Sequence, residues 1–364
     1  MLLALLAIAG CAPSGNISLP QEDPAAAVAP ANTEAARVLL VVNKASAESL
    51  EIGNYYKEKR AIPEANVVKV DCVSTDTISN EEFEAKLRNP IRQAIDKCPN
   101  HIDFIVTTKG VPIRIGDDGG HSVDAHLAGL RLNFRPIERP EPDQVQRALN
   151  PYFNKREPFD SKKYGFYLAT RLDGYNVPAV RQLIDNSLLA QPSKGPFLLD
   201  QAANRSGGGY SDLQKALETA AEGLKKNGFA VILDSGPTFA APKEALAGYA
   251  SWGSNDANFS LDRYHSLTFL PGAIAETFVS TSGRTFRPVE GGQSLIGDLI
   301  AQGVTGVKGY VSEPFTFALA RPEILFDRYT DGYNLAESFS MASPILKWKD
   351  VVIGDPLCAP YAKD

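Results

Sequence analysis

The order in which short apolar runs and helix-like segments follow one another constrains the fold of this chain most. The β-branched run ARVLLVVNK predicts a strand, SLEIGNYYKEKR has the character of a helix, and ANVVKVDC predicts a second strand. Ser79 and Glu82 then have the spacing of a capping box, and an apolar residue recurs at every fourth position over 83–95, which predicts a helix. A buried strand is expected over 102–106. This β-α-β-α-β order is typical of a parallel sheet.

A second succession of the same kind begins at GPFLLDQAA. The segment SDLQKALETAAEGLKKNG predicts an amphipathic helix that ends at Gly228, and FAVILDSG, ALAGYAS, AIAETFVS and VTGVKGYV are further short apolar runs. We therefore predict an α/β protein made of two β/α halves with mainly parallel sheets. The halves are assigned to residues 37–190 and 195–362, and they join near Gln191 and Pro192.

The charge of the chain argues against one class of partner. The 364 residues include 37 Lys and Arg against 43 Asp and Glu, which gives a net charge of −6, and they contain no long basic run. Proteins that bind nucleic acids concentrate basic residues on one face or in one segment. We therefore expect no nucleic-acid partner.

The first eleven residues, MLLALLAIAGC, differ from the rest of the chain. Their apolar run is too short to span a bilayer and leads through small residues to Cys11. The sequence IAGC resembles a bacterial lipobox, in which the signal peptide is removed before a cysteine that becomes lipidated. Residues 1–11 are thus predicted to be a lipoprotein-type signal peptide with its lipidation cysteine, and the Ala- and Pro-rich residues 12–36 a tether. This places the protein in the bacterial cell envelope, attached to a membrane through a lipid on Cys11, with its folded part in the periplasm or outside the cell.

Three cysteines remain for the folded part, which export would place in an oxidising compartment: Cys72, Cys98 and Cys358. An odd number leaves at least one thiol free. Cys72 ends a strand-like run and Cys98 follows a predicted helix, so the sequence allows a disulfide between these two without requiring it.

Polar residues follow the apolar runs of the second half, where α/β proteins commonly place their chemistry. After ALAGYAS comes WGSND, in which Trp252 offers an aromatic contact and Ser254 and Asn255 offer hydrogen bonds to a ligand. Asp256 and Glu313 are candidates for acid/base chemistry if they lie close together. In the alternative interpretation each of them caps a turn or a helix.

The segment STSGRT offers hydroxyl groups and a guanidinium around a glycine. Ser280 and Ser282 are candidate nucleophiles, and Arg284, with the two serines and backbone N–H groups, is suited to cradle an anion. A polar turn with a solvent-facing arginine is the alternative. The pattern is not a phosphate-binding P-loop, because the terminal Gly-Lys-Ser/Thr is missing.

In the first half, GDDGGHSVDAHLAGL contains several potential metal ligands close together: Asp117, Asp118, His121, Asp124 and His126. Their spacing matches neither a His-x-x-x-His helix pair nor an EF-hand, and a hydrated acidic loop before a helix capped by Ser122 is the favoured explanation. We predict no cofactor, with a divalent cation as the open alternative. Asp124 and Lys109 are also candidate ligand-binding residues, because they are expected at the sheet edge where doubly wound folds bind ligands.

A succession of short motifs runs through the second half: YASWGSND, ETFVSTSGRT, QSLIGDLIAQGVTGVKGYVSEP, YNLAESF and DVVIGDPLCAPY. This succession resembles the catalytic domain of gingipain-type cysteine peptidases in the caspase-like clan, and FIVTTKGVPIRI and FYLATRLDGYNVPAVRQLID resemble segments of their first half. The resemblance covers nearly all of residues 37–362 and implies a caspase/gingipain-like three-layer sandwich. The chain is more similar still to a family of bacterial exported proteins that shares SWGSND, STSGRTF and GDPLCAP.

The chain departs from these peptidases at their catalytic dyad. Their mechanism needs a thiolate and an imidazole on neighbouring strand ends. The histidine of the family falls on Trp252, and its cysteine falls within residues 280–282, which are Ser-Thr-Ser. A serine hydroxyl needs an adjacent base, and tryptophan cannot act as one. The chain is therefore not a standard cysteine peptidase.

Two functions stay open. In the first, the chain is an exported lipoprotein on a degenerate peptidase scaffold, which binds a peptide, a glycan or an envelope partner in a cleft at the strand ends. In the second, it is a hydrolase in which Ser280 or Ser282, with Asp256 or Glu313, replaces the dyad. The missing dyad and the presence of Trp252 favour the binding protein, a pseudoenzyme.

Overall fold

The computed structural model describes residues 34–116, 119–138 and 140–363, so Cys11, Asp117, Asp118, the predicted signal peptide and residues 12–33 of the predicted tether lie outside the described residues. The strands are β1 (Val38–Asn43), β2 (Val67–Val70), β3 (Thr77–Ile78), β4 (Phe104–Thr108), β5 (Arg114–Ile115), β6 (His121–Ser122), β7 (Leu168–Leu172), β8 (Phe197–Asp200), β9 (Val231–Asp234), β10 (Leu246–Ser251), β11 (Phe269–Thr277), β12 (Gly306–Tyr310) and β13 (Asp350–Gly354). The α-helices are α1 (Ala47–Arg60), α2 (Asn80–Glu82), α3 (Asn89–Lys97), α4 (Val123–Ala128), α5 (Pro142–Arg147), α6 (Ser161–Tyr164), α7 (Val177–Leu189), α8 (Gly208–Lys226), α9 (Leu261–His265), α10 (Ile296–Ala301), α11 (Pro322–Thr330) and α12 (Leu335–Ala342). A π-helical segment, Phe83–Arg88, joins α2 to α3, and short 3₁₀ turns occur at Glu34–Arg37, Glu64–Asn66, Gly253–Asn255 and Thr316–Ala318.

Ten of these strands form one sheet in the order β2-β1-β4-β7-β13-β12-β11-β10-β8-β9. Its neighbouring strands run parallel, except that β13 pairs antiparallel with β12. The other edge of β13 pairs with β7, at Ile353 and Arg171, so this last strand lies between strands of the first half and strands of the second. The α/β architecture with mainly parallel strands, predicted from the alternation of elements, is confirmed.

Helices cover both faces of the sheet, as two glycines of β12 show. A Cβ at Gly306 would lie 2.2 Å from Leu335 Cδ1 in α12, whereas one at Gly309 would lie 2.7 Å from Ile296 Cδ1 in α10. Residues three apart in a strand point to opposite faces, so α10 and α12 lie on opposite sides. On one side α1 packs on α7 and α7 on α10, and on the other α8 and α12 pack on α11. The predicted three-layer sandwich is confirmed.

The first strand explains why both faces are covered. Every residue of β1 is buried, and alternate side chains enter two different apolar clusters. Leu40 packs with Ile52 of α1, whereas Val41 packs with Ile91 of α3. An unbroken run of apolar residues is what a strand buried on both faces requires. The helical segment that runs from α2 through the π-helical residues into α3, which carries Ile91, begins as predicted, because Ser79 forms the capping box of α2.

The cysteines of the folded part form no disulfide. Cys72, Cys98 and Cys358 are all free thiols, so the pairing of Cys72 with Cys98 does not occur in this structure. Burial raises the pKa of the Cys72 thiol to about 12, which makes it a poor nucleophile. Within the described part of the chain, no helix has the length and apolar character needed to cross a membrane.

Candidate functional site

A cleft of about 640 Å³ lies at the carboxyl ends of β10 and β11. The turn that begins α8, the residues after β10 and β11, and the loop after β12 line it. The lining residues are Arg205, 207–210, Trp252, Asn255, Phe278, Ser280, 313–316 and Leu319. The predicted site residues Trp252, Asn255, Ser280 and Glu313 therefore lie in one cleft.

Trp252 forms a fixed wall of this cleft. The residue is 2% exposed, and its indole N–H donates a 2.8 Å hydrogen bond to Gln214 Oε1 of α8. Its ring packs edge-on against those of Phe278 and Tyr210, with centroids 5.0 and 5.6 Å away. Because indole nitrogen is only a donor, Trp252 cannot take a proton from a nucleophile. It supplies shape and apolar surface instead.

Asn255 connects the loops around the cleft. Its Nδ2 donates to the carbonyl oxygen of Phe278 at 2.7 Å, and its Oδ1 accepts from Gln293 Nε2 at 3.2 Å. Its own carbonyl oxygen accepts from Arg205 Nε at 2.7 Å. The side chain thus joins segments that follow β10 and β11, and the backbone carbonyl of Asn255 holds the segment that follows β8.

Ser254 and Asp256, the neighbours of Asn255, do not line the cleft. Ser254 Oγ accepts the backbone N–H of Ser294 at 2.9 Å. Asp256 is 7% exposed, and its Oδ1 accepts the backbone N–H of Asn258 at 2.9 Å. Ser254 therefore joins its turn to the loop before α10, and Asp256 stabilises its own turn, which is the alternative that the sequence offered for Asp256.

The three predicted residues of the STSGRT segment lie apart. Ser280 lines the cleft. Ser282 is 0% exposed and lies against β12, where a Cβ at Gly309 would be 2.8 Å from its Oγ. Arg284 donates to the carbonyl oxygens of Thr281 and Gln293 at 3.1 and 2.9 Å, and thereby closes the loop that both residues flank. Within this segment, Ser280 alone lines the cleft.

Glu313 lies in the cleft but is engaged by its own loop. Its Oε1 accepts the backbone N–H of Phe315 at 2.8 Å. Phe315 is 41% exposed and has φ 61° and ψ 158°, a conformation that is costly for a residue with a Cβ and that concentrates at functional sites. Among the described contacts, no hydrogen bond joins Glu313 to Ser280, so the two groups do not form a nucleophile–base pair here.

Three cleft residues escaped the sequence analysis: Arg205, Tyr210 and Phe315. The guanidinium carbon of Arg205 lies 5.4 Å from the ring centroid of Tyr210 and 5.8 Å from that of Trp252. The signal that points to Arg205 and Tyr210 is RSGGGY, a glycine run directly before an amphipathic helix. Such a run leaves backbone open to a ligand at a helix start.

In the first half, Asp124 neutralises a buried arginine. Arg171 is 0% exposed, and its Nε and Nη2 donate to the two carboxylate oxygens of Asp124 at 2.7 and 3.0 Å. Its other N–H groups donate to the carbonyl oxygens of Val111 and Pro112 at 2.6 and 2.8 Å. Asp124 therefore holds Arg171 in place, and Arg171 holds the loop after β4.

Lys109 lines a smaller cavity, of about 260 Å³, at the carboxyl ends of β1, β4 and β7. Its Nζ donates to the carbonyl oxygen of Gly174 at 2.9 Å and lies 3.5 Å from Asp173 Oδ1. Burial raises the pKa of Asp173 to about 6. Lys109 is thus separate from the cleft that holds Trp252 and Ser280.

The potential metal ligands of GDDGGHSVDAHLAGL that the structure describes do not converge on a common point. His121 Nε2 lies 2.8 Å from the carbonyl oxygen of Ile137, His126 is buried so that its pKa is well below its ordinary value, and Asp124 is bonded to Arg171. Elsewhere in the described ranges, atoms of His101, Asp103 and Asp160 lie within 4.8 Å of one another. Asp103 in that group is already paired with Arg37, at 2.6 Å.

The fold is a caspase/gingipain-like α/β sandwich, with a cleft at the carboxyl ends of β10 and β11 that Trp252 and Ser280 line. The structure is similar to the complex of the Porphyromonas gingivalis RgpB pro- and mature domains, with a TM-score of 0.50 and 12% identity over 89% of this chain and 79% of that chain. It is also similar to a structure of a protease, with a TM-score of 0.55 and 12% identity over 90% of this chain and 79% of that one. At this identity the likeness shows the fold, and it confirms the predicted resemblance to gingipain-type peptidases at that level. Neither a protein-family model nor a curated protein matches the sequence.

A buried carboxyl group in β11 makes stability depend on pH. Glu276 is 0% exposed, its Oε1 accepts the Tyr310 hydroxyl at 2.6 Å, and burial raises its pKa to about 8. The folded state therefore binds the proton more tightly than the unfolded state. The protonated Glu276 adds its full contribution to the free energy of unfolding below about pH 4, and this contribution is lost as pH rises through about 8. We expect the free energy of unfolding to fall by up to about 1.4 kcal/mol per pH unit in this window, and Glu276→Gln to remove that part of the slope.

Urea unfolding from about pH 5 to about pH 8 measures this slope. The variant Glu81→Gln, at an exposed position, is the control and should follow the wild type. A slope that is the same in Glu276→Gln as in the wild type would show that Glu276 does not titrate in this range.

Proposed function

We propose that this protein binds a peptide in the cleft at the ends of β10 and β11 and does not use the mechanism of a cysteine peptidase. The observation that carries the proposal is the composition of this cleft. Aromatic rings of Tyr210, Trp252 and Phe315 and the guanidinium of Arg205 surround it, and no cysteine or histidine is among the described residues that line it. Concave, largely apolar sites with a few polar groups are typical of ligand binding.

A peptide is favoured over a glycan by two features. The fold is shared with structures of proteases, and the cleft combines apolar walls with hydroxyl and amide groups at Ser280 and Asn255. Such a mixture suits a ligand with a polar backbone and apolar side chains. Tyr210, which is 40% exposed, provides rigid contact surface of the kind that dominates peptide and protein recognition, and the buried ring of Trp252 supports it from below.

The proposal includes a location in the bacterial cell envelope, with a lipid on Cys11 as the membrane anchor. It rests on the lipobox-like IAGC and on the Ala- and Pro-rich tether that follows. Incorporation of labelled fatty acid that is lost in Cys11→Ser would support the anchor, and labelling that persists in this variant would refute it.

The binding proposal predicts that a pool of N-acetylated hexapeptides of random sequence is retained by the immobilised wild-type protein and leaves it uncleaved. Tyr210 is 40% exposed, so Tyr210→Ala removes contact area with little cost in stability, and we expect retention to fall by about tenfold. Leu261→Ala, at a 51% exposed apolar residue outside the cleft, is the matched control and should retain peptides as the wild type does. Mass spectrometry of the retained and released fractions gives both readouts.

A hydrolase with non-standard residues is the second candidate, because Ser280 and Glu313 line the same cleft. The same experiment separates the two functions. Shortened peptides that appear with the wild type and disappear with Ser280→Ala would favour the hydrolase. Absence of retention in every fraction would overturn peptide binding.

A further inference from the structure

Arg205 is a cationic side chain in the cleft without an acidic partner in the described part of the chain. Its Nε donates to the carbonyl oxygen of Asn255 at 2.7 Å, which fixes the side chain. The guanidinium carbon lies 5.4 Å from the ring of Tyr210 and 5.8 Å from that of Trp252. The two Nη groups are the remaining donors, and they form a planar fork that matches the two oxygens of a carboxylate.

The backbone beside Arg205 is open and also favours an anion. Gly207 occupies the N-cap position of α8, where no side chain caps the first turn. A Cβ at Gly207 or Gly208 would meet no atom within 4 Å, and both glycines have positive φ, 89° and 52°. The N–H groups and the positive end of the helix macrodipole at the start of α8 therefore add to the charge of Arg205.

The acidic group of the cleft does not neutralise this charge. Glu313 accepts the backbone N–H of Phe315 and forms no ion pair with Arg205 among the described contacts. The exposed ring of Phe315 follows Glu313 on the loop after β12. The cleft thus has a positive end at Arg205 and aromatic surface next to it.

We infer that the peptide bound in this cleft presents a carboxylate to Arg205 and packs an apolar side chain against Tyr210, Trp252 and Phe315. This inference rests on the proposed function and names the chemistry of the ligand. Two sources supply a peptide carboxylate: the free C-terminus and the side chain of Asp or Glu. The cleft geometry applies to both, and the experiment distinguishes them.

The experiment uses four pools of N-acetylated hexapeptides, with a free or an amidated C-terminus, and with or without Asp and Glu. The full folded chain is immobilised as wild type, Arg205→Gln, Arg205→Lys or Arg181→Gln, and peptides retained by each are quantified by mass spectrometry. Arg181 is an exposed arginine of α7 paired with Glu51, and it is the matched control. Thermal unfolding of each variant shows that it is folded.

We expect the wild type to retain a pool that contains a carboxylate about 10- to 100-fold better than the amidated pool without acidic residues. Arg205→Gln should abolish this preference, Arg205→Lys should reduce it because the ammonium group lacks the fork, and Arg181→Gln should keep it. Preference for the free-acid pool without Asp and Glu identifies the C-terminus, and preference for the amidated acidic pool identifies a side chain.

Equal retention of all four pools by the wild type would overturn the carboxylate inference while peptide binding itself stands. A carboxylate preference that persists in Arg205→Gln would also overturn it. Failure of every pool to bind would instead overturn the proposed function, so the two failures are distinct.

Discussion

Asp124→Ala is expected to lower the free energy of unfolding by about 3–5 kcal/mol. The substitution leaves the guanidinium of Arg171, which is 0% exposed, without the carboxylate that receives two of its hydrogen bonds. Removing one partner of a buried ion pair costs far more than the pair itself contributes, and among the described residues only Asp173, whose Oδ2 lies 3.5 Å from Arg171 Nη1, then remains to compensate the buried charge. Thr107 Oγ1, which donates to Asp124 at 2.9 Å, also loses its acceptor.

Urea unfolding followed by circular dichroism measures this loss. The matched control is Asp96→Ala, which removes the partner of Arg131 from an ion pair in which both side chains are about half exposed, at 53% and 49%. Exposed pairs contribute less than about 1 kcal/mol, so Asp96→Ala should hardly change stability. If Asp124→Ala cost no more than this control, Asp124 would be available to a ligand, as the sequence first suggested.

Trp252→Ala is expected to cost about 3–5 kcal/mol and to abolish peptide retention. The indole is 2% exposed and fills space between Phe278, Tyr210 and Gln214. Its removal leaves a cavity under one wall of the cleft and frees the loop that carries Arg205. Trp252→Phe keeps most of the packing and loses the hydrogen bond to Gln214, so we expect a smaller cost of about 1–2 kcal/mol.

The comparison between the two Trp252 variants is the informative measurement. Thermal and urea unfolding report stability, and retention of the random hexapeptide pool reports binding. A fully stable Trp252→Ala would contradict the role of Trp252 as a fixed wall. Loss of peptide retention in Trp252→Phe at unchanged stability would show that the indole itself contacts the ligand.

The sequence predicted the fold well because the patterns that specify individual strands and helices lie within short segments of the chain. The apolar run of β1 and the capping box at Ser79 each act over a few residues, and both form as predicted. The place of β13 could not be predicted in this way. Its short apolar run has the same character as the other strands, and its antiparallel pairing with β12 depends on packing between distant parts of the chain.

The candidate site was predicted only in part, because its decisive contacts join distant residues. Trp252 was identified as a cleft residue, yet its hydrogen-bond partner Gln214 lies 38 residues away. Asn255 was expected at the ligand site and lines the cleft, but its carbonyl oxygen accepts from Arg205, which is 50 residues away in the chain. Ser282 illustrates the same limit. Ser280 is half-buried and lines the cleft, whereas Ser282, two residues further along the chain, is fully buried, and residue type alone does not distinguish them.

The position of β13 determines when the ten-stranded sheet can form as one unit. This last strand lies between β7 and β12, so before residue 354 has emerged from the ribosome the sheet exists at most as two separate groups of strands. Each group then exposes an unpaired backbone edge, which invites pairing with other chains. This order of assembly suits the proposed export, because a chain whose sheet is incomplete is not yet held in its folded form. Loss of the C-terminal segment, by truncation or proteolysis, would therefore leave two unpaired strand edges, at β7 and β12, where the complete protein has one continuous sheet.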